Sequence, residues 1–146
     1  MTASVRDLAA SDLPAWRELF RAYGVFYDTE FSDELLDRVG TLLLTDGSGI
    51  DALVAEQDGV VVGIAHFRSH PDTFSGGRDW YLDDLYVTSE VRGSGAGRAL
   101  IAAITERAAG TGGSLRWITA DTNETAQKLY DKVAKRTSWV TYEVRV

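Results

Sequence analysis

The residues most able to do chemistry lie in Arg92-Gly93-Ser94-Gly95-Ala96-Gly97-Arg98, between a β-rich run, Trp80 to Val87, and an apolar-periodic run, Leu100, Ile101, Ile104 and Ala108. Glycine permits unusual backbone angles and lets main-chain N–H groups come close to a ligand. A helix that starts there adds partial positive charge, so the segment reads as a phosphate or pyrophosphate site. It is not a Walker loop: Arg98 and Ala99 follow Gly97, so the lysine and the metal-binding hydroxyl are missing. Nor is it a dinucleotide fingerprint, since Arg98 stands where Gly or Ala is required and the motif lies far from the amino end.

Asp83 and Asp84 interrupt the apolar and aromatic run before the glycines. Aspartate is a poor strand former, and alternation along a strand would send the two to opposite faces, one of them toward a site. Either one alone also reads as a structural or solvated carboxylate. Tyr23, Phe26, Tyr27, Asp28 and Glu30 could line a pocket for a cation, because aromatic faces and carboxylates attract ammonium groups; the alternative is a mixed core and solvated loop. His66 and His70 have no metal-like spacing and read as strand-surface or loop residues.

These residues need elements to hold them. Val5 to Leu8 predicts a short strand. Ser11, Asp12 and Pro14 open a helix carrying Trp16, Leu19, Phe20 and Tyr23, which Gly24 should end; Ser32 opens a second helix with Leu35, Leu36, Val39, Leu42 and Leu43. Ala52–Gln57 and Val60–Arg68 flank Asp58-Gly59, a hairpin turn. A polar link from Ser69 to Arg78 leads to the strand Trp80–Val87, the glycine turn and its helix. A strand at Leu115–Ala120, a helix from Asn123 with Ala126, Leu129, Tyr130 and Val133 on one face, and a final strand at Trp139–Val146 complete the order.

Composition sets the bounds. The 146 residues include no cysteine, which removes disulfides, thiol nucleophiles and cysteine-bound metals. The formal charge of −7 disfavours nucleic acid and favours cationic small molecules or basic peptides. No leader-like or membrane-spanning run is visible, so a cytoplasmic protein with no membrane partner is expected. No repeat or linker divides the chain, and residues 1–146 read as a single α+β domain.

The chain resembles the GNAT superfamily of N-acetyltransferases, whose acetyl-CoA motif, Arg/Gln-x-x-Gly-x-Gly/Ala, matches Arg92-Gly93-Ser94-Gly95-Ala96-Gly97. Leu82 to Val91 looks like the family's fourth strand and its exit, and Asn123 to Tyr130, NETAQKLY, like its second cofactor motif. The resemblance is most specific from Trp80 to Tyr130 and looks nearest to the diamine and basic-peptide acetylators. It implies the acyl-CoA N-acyltransferase fold, a central mixed, mostly antiparallel sheet flanked by helices. It also implies acetyl-CoA as cosubstrate with no metal, and a homodimer in which Trp139 and Tyr142 pack a terminal strand.

By the same resemblance, main-chain groups of Leu85, Tyr86 and Val87 would hold the pantetheine arm. Arg92, Gly93, Ser94, Gly95, Ala96, Gly97, Arg98 and Ala99 would wrap the pyrophosphate, and Asn123 would contact the cofactor arm. Tyr130 would be the general acid, which suits a thiolate leaving group of reference pKa about 8.5 beside a phenol near 10. Asp83 would accept the amine's proton, directly or through water, while Asp84, with Tyr27 and Asp28, could bind the acceptor; Asp84 could instead cap backbone groups. Direct attack by the amine is preferred, since no cysteine can carry the acetyl group. The family commonly has a Gly-Phe pair where Ala134 and Lys135 stand. The alternative function is an acyl-CoA sensor of the same fold without catalysis.

Overall fold

The computed structural model describes residues 3–146. Its elements run β1 (Ser4–Asp7), α1 (Leu13–Phe26), α2 (Asp33–Leu44), β2 (Asp51–Gln57), β3 (Val60–Pro71), β4 (Arg78–Val87), α3 (Ala96–Ala108), β5 (Gly112–Arg116) and α4 (Glu124–Val133), with short 3-10 turns at Ala10–Asp12 and Ser89–Val91. The five strands form one sheet in chain order. The first four are antiparallel, and β5 joins β4 in parallel through the α3 crossover. This is the mixed, mostly antiparallel α+β sheet expected from the sequence.

Sheet alternation divides the core in two. On one side Leu53, Ala65, Phe67, Trp80 and Leu82 meet Leu100, Ile101 and Ile104 of α3. On the other, Val54 and Ile64 meet Trp16, Leu19 and Phe20 of α1 and Leu36 and Leu43 of α2. The hairpin turn forms as expected, with positive φ at Asp58 and Gly59. Ser32 caps α2 by accepting from Leu35 N–H at 3.1 Å, and Asn123 caps α4 by accepting from Ala126 N–H at 3.2 Å.

Four expectations need correction. Gly24 does not end α1. The helix continues to Phe26, and the chain folds back so that Thr29 N–H donates to the Gly24 carbonyl at 2.8 Å. A Cβ at Gly24 would lie 2.8 Å from the Phe31 ring, so this glycine serves a close approach inside a helix. The polar link is shorter than expected, since β3 extends to Pro71 and β4 starts at Arg78. The strand expected at Leu115–Ala120 is instead Gly112–Arg116. It is pinned to the start of β4 by Asp79, which accepts from Ser114 N–H at 2.8 Å and from Arg116 Nη1 at 2.6 Å, and by Trp80 Nε1 donating to Thr111 Oγ1 at 2.8 Å. Finally, Trp139–Val146 forms no strand: the chain after Ala134 runs unpaired, separated by a groove from the Leu115–Ile118 segment it would have to approach to extend the sheet.

Candidate active site

The register of β3 against β4 slips once. His66 faces Asp84, but Phe67 faces Leu82, so Asp83 is an extra residue, a β-bulge. This overturns the expectation that the two aspartates point to opposite faces. Leu82 packs with the α3 core, whereas Asp83 and Asp84 both turn to the α1 side, toward Arg68 and His66 respectively. Arg68 Nε donates to Asp83 at 2.9 and 3.2 Å and stacks over Tyr81.

Asp84 is held from behind. His66 is 1% exposed, not on the surface as its sequence context suggested. Trp16 Nε1 donates to His66 Nε2 at 2.8 Å, and His66 Nδ1 lies 2.9 Å from Asp84 Oδ2. Indole N–H can only donate, so Nε2 must accept and the ring hydrogen sits on Nδ1, facing Asp84. The line ends at Tyr23. Its phenol is pushed well above the ordinary tyrosine range, first by burial and then by the adjacent Asp84 carboxylate. His66 and Trp16 escaped the sequence reading, yet a signal existed: Ile64 and His66 share one face of a strand whose neighbours are all apolar.

In front of β4 the sheet opens. β4 and β5 pair only from Arg78 to Tyr81, and β4 runs on to Val87 with no strand beside that edge. A cleft of about 590 Å³ occupies the gap, lined by Tyr23, Phe26, Tyr27, Leu85–Val87, Gly93, Gly95–Arg98, Asn123, Leu129 and Tyr130. Arg92 crosses its rim: its Nε donates to the Val87 carbonyl at 3.1 Å and its guanidinium lies over the Tyr86 ring.

At the cleft floor α3 begins. Gly95 is its N-cap in the left-handed region, φ 94°, which an alanine would occupy only at about 1–2 kcal/mol. Ser94 N–H donates to Val91 O and Ala99 N–H to Gly95 O, so the N–H groups of Gly95, Ala96, Gly97 and Arg98 have no partner among the described residues. Four free donors at a helix start fit a diphosphate. A Cβ on Gly97 would already lie 3.4 Å from Leu129 and 3.7 Å from Val87, so glycine there also lets α3 approach its neighbours.

Tyr130 faces the same cleft, its ring edge-on to Trp117 at 5.3 Å, and burial first, then Tyr27, raises its phenol pKa. The structure therefore gathers Tyr27, Leu85, Tyr86, Val87, Arg92, Gly93, Gly95, Ala96, Gly97, Arg98, Asn123 and Tyr130 around one cavity. Ser94 and Ala99 spend their N–H groups locally, Asp28 sits at positive φ on the exposed loop after α1, and Asp83 and Asp84 lie behind the wall. Among the described residues no helix is long and apolar enough to cross a membrane, and no group of three or more His, Cys, Asp or Glu side chains is placed to hold a metal ion.

A sheet that parts at a bulged β4, above a glycine-started helix, defines the acyl-CoA N-acyltransferase class. The Acetyltransferase (GNAT) family matches residues 13–134, and the chain belongs to that family. It is 30% identical over 142 residues to the D-amino-acid N-acetyltransferase HPA3 of Saccharomyces cerevisiae, covering 95% of this chain and 88% of that one. Among solved structures it resembles the ribosomal-protein-alanine N-acetyltransferase of Brucella melitensis biovar Abortus 2308, with 26% identity, TM-score 0.80 and coverage of 99% and 100%. The aminoglycoside N-acetyltransferase AAC(6')-Iy, solved in complex with CoA, shares the fold at TM-score 0.81 and 21% identity, with coverage of 98% and 94%. The protein is an acetyl-CoA-dependent N-acetyltransferase.

Proposed function

We propose that this enzyme acetylates a primary amine of a small cationic metabolite or basic peptide by direct attack in a ternary complex. The observation that carries the reading is the set of unpaired N–H groups from Gly95 to Arg98, on residues that line the same cleft as the open edge of β4 and Tyr130. Acetyl-CoA, when bound, supplies the thioester carbonyl. The amides of Gly95–Arg98, with Arg92, would hold its diphosphate, Leu85–Val87 would offer main-chain groups to the arm, and Asn123, whose oxygen caps α4, lines the cleft and would contact the arm.

An amine is ammonium at neutral pH and must lose a proton before it can attack. Asp83 and Asp84 share the α1 face of the sheet, Asp84 against Tyr23 and Asp83 against Arg68, and neither lines the cavity, so the amine's proton would reach Asp83 only through ordered water. Asp84, positioned by His66, attracts the ammonium from behind Tyr23. Tyr130, held neutral by its raised pKa, donates to the departing sulfur. The acidic balance of the chain and the aromatic wall support a cationic acceptor, and the acceptors named for its relatives, D-amino acids and aminoglycosides, all carry amines. A cytoplasmic homodimer completes the reading.

The test is release of free CoA thiol from acetyl-CoA with a panel of polyamines, lysine analogues, D-amino acids, aminoglycosides and basic peptides. Turnover with at least one acceptor is expected. Silence across the panel, with CoA still raising the melting temperature, would instead favour the sensor.

A further inference from the structure

The buried line behind β4 has a direction. The indole N–H of Trp16 fixes His66 Nε2 as an acceptor and leaves the ring hydrogen on Nδ1, 2.9 Å from Asp84 Oδ2. An ionised carboxylate can only accept, so Asp84 receives that hydrogen and draws any other donor beside it the same way. Tyr23 is such a donor: its phenol lies against Asp84, and burial, then the Asp84 charge, keeps it protonated.

Packing holds Tyr23 there. Its ring stacks on Phe20 at 5.8 Å, and Phe20 meets the His66 ring edge-on at 4.8 Å, so the tyrosine and the histidine share one support. Tyr23 also meets Tyr86 edge-on at 6.3 Å, and Tyr86 lies on the α1 side of β4 two residues beyond Asp84. His66 and Asp84 do not line the cleft, whereas Tyr23 does. Tyr23 is therefore where the line from Trp16 reaches the cavity.

We propose, on the footing that the acceptor is an amine, that Tyr23 binds its nitrogen: the phenol oxygen accepts an N–H from the cleft while Asp84, positioned by His66 and Trp16, holds the phenol hydrogen. The polarity matters to the chemistry. A hydroxyl that donated into the cleft would engage the nitrogen lone pair, which must stay free to attack the thioester carbon. One that accepts takes an N–H instead and leaves the lone pair open. It binds the ammonium and the neutral amine alike, and its oxygen is the stronger acceptor because its hydrogen already bonds a charge. Tyr23 orients the nitrogen and takes no proton.

Calorimetric titration of the enzyme–CoA complex with 1,4-diaminobutane and with D-lysine amide reads this contact without turnover. Tyr23→Phe keeps the ring and its stacking and removes only the oxygen. It should weaken each probe that the parent binds about tenfold or more, with CoA affinity held within about twofold. A merely structural Tyr23 would loosen both ligands together, since both occupy the cleft it lines. His66→Leu should weaken the probes about threefold or more, and His66→Asn, whose amide N–H replaces Nδ1–H, should return them to within about twofold of the parent. Nitrogen-15 NMR of labelled histidine checks the direction without any ligand, and should find the His66 hydrogen on Nδ1. Unchanged probe binding in Tyr23→Phe, a His66 hydrogen on Nε2, or a parent complex that binds neither probe would overturn the proposal. Catalysis is read separately: thiol release can fail while the probes still bind through Tyr23, or succeed while Tyr23→Phe binds them as the parent does.

Discussion

Replacing His66 with Leu removes two contacts at nearly constant volume. Trp16, itself 1% exposed, would keep an indole N–H with no acceptor, a loss of about 1–3 kcal/mol. Asp84 would lose the Nδ1–H bond, but it is partly exposed and water replaces part of it, which adds about 1 kcal/mol. The total, about 3 kcal/mol at about 2–4 °C each for a domain of this size, lowers the melting temperature by roughly 6–12 °C. Calorimetry on His66→Leu, Trp16→Phe and the double variant measures it. Because both singles break the same bond, the double variant should fall short of their sum by about 1 kcal/mol or more. Strict additivity, or a change within 1 °C, would refute the Trp16–His66–Asp84 line as a coupled unit.

Gly95→Leu should weaken CoA binding at least tenfold by calorimetric titration, at a stability cost of only about 1–2 kcal/mol, since the position is open but left-handed. Tyr130→Phe should lower kcat about 10²-fold, with CoA affinity held within about twofold; equal loss in both would undo its role as acid. The Arg6 guanidinium, at 2.7 Å, holds the buried Asp12 carboxyl below the usual carboxylate range, so this pair's contribution is full above the unfolded pKa of about 3.9 and is lost as pH falls below it. Asp12→Asn should therefore be less stable at pH 7 by about 1–3 kcal/mol in urea unfolding, and the gap should close as pH falls through the lowered folded-state value of the Asp12 carboxyl. Burial raises the phenols of Tyr23 and Tyr130, so stability should decline as pH rises past the unfolded tyrosine value of about 10, with fewer than six tyrosinates visible by absorbance before the chain unfolds.

What the sequence made legible was local. Asp58-Gly59, Ser32 and Asn123 act through neighbours two or three residues away, and each did in the fold what its type dictates. The glycine turn was readable for the same reason: its conformation and its free N–H groups belong to one short stretch. What escaped depends on partners distant in the chain. The bulge at Asp83 exists only in the register of β3 against β4, so plain alternation misplaced one aspartate. His66 is buried because Trp16, fifty residues earlier, covers it. Gly24 lies inside a helix because Phe31 packs on it. The alternating pattern of Trp139–Val146 announces a strand but cannot name its neighbour, and within one chain it has none.

Cofactor binding depends on the amides at the start of α3, and a crystal structure of the enzyme soaked with CoA tests them most directly. It should show diphosphate oxygens within about 3 Å of the N–H groups of Gly95–Arg98, with the thiol end between β4 and Tyr130. Coenzyme density bound elsewhere on the molecule, with those four amides still facing solvent, would contradict it.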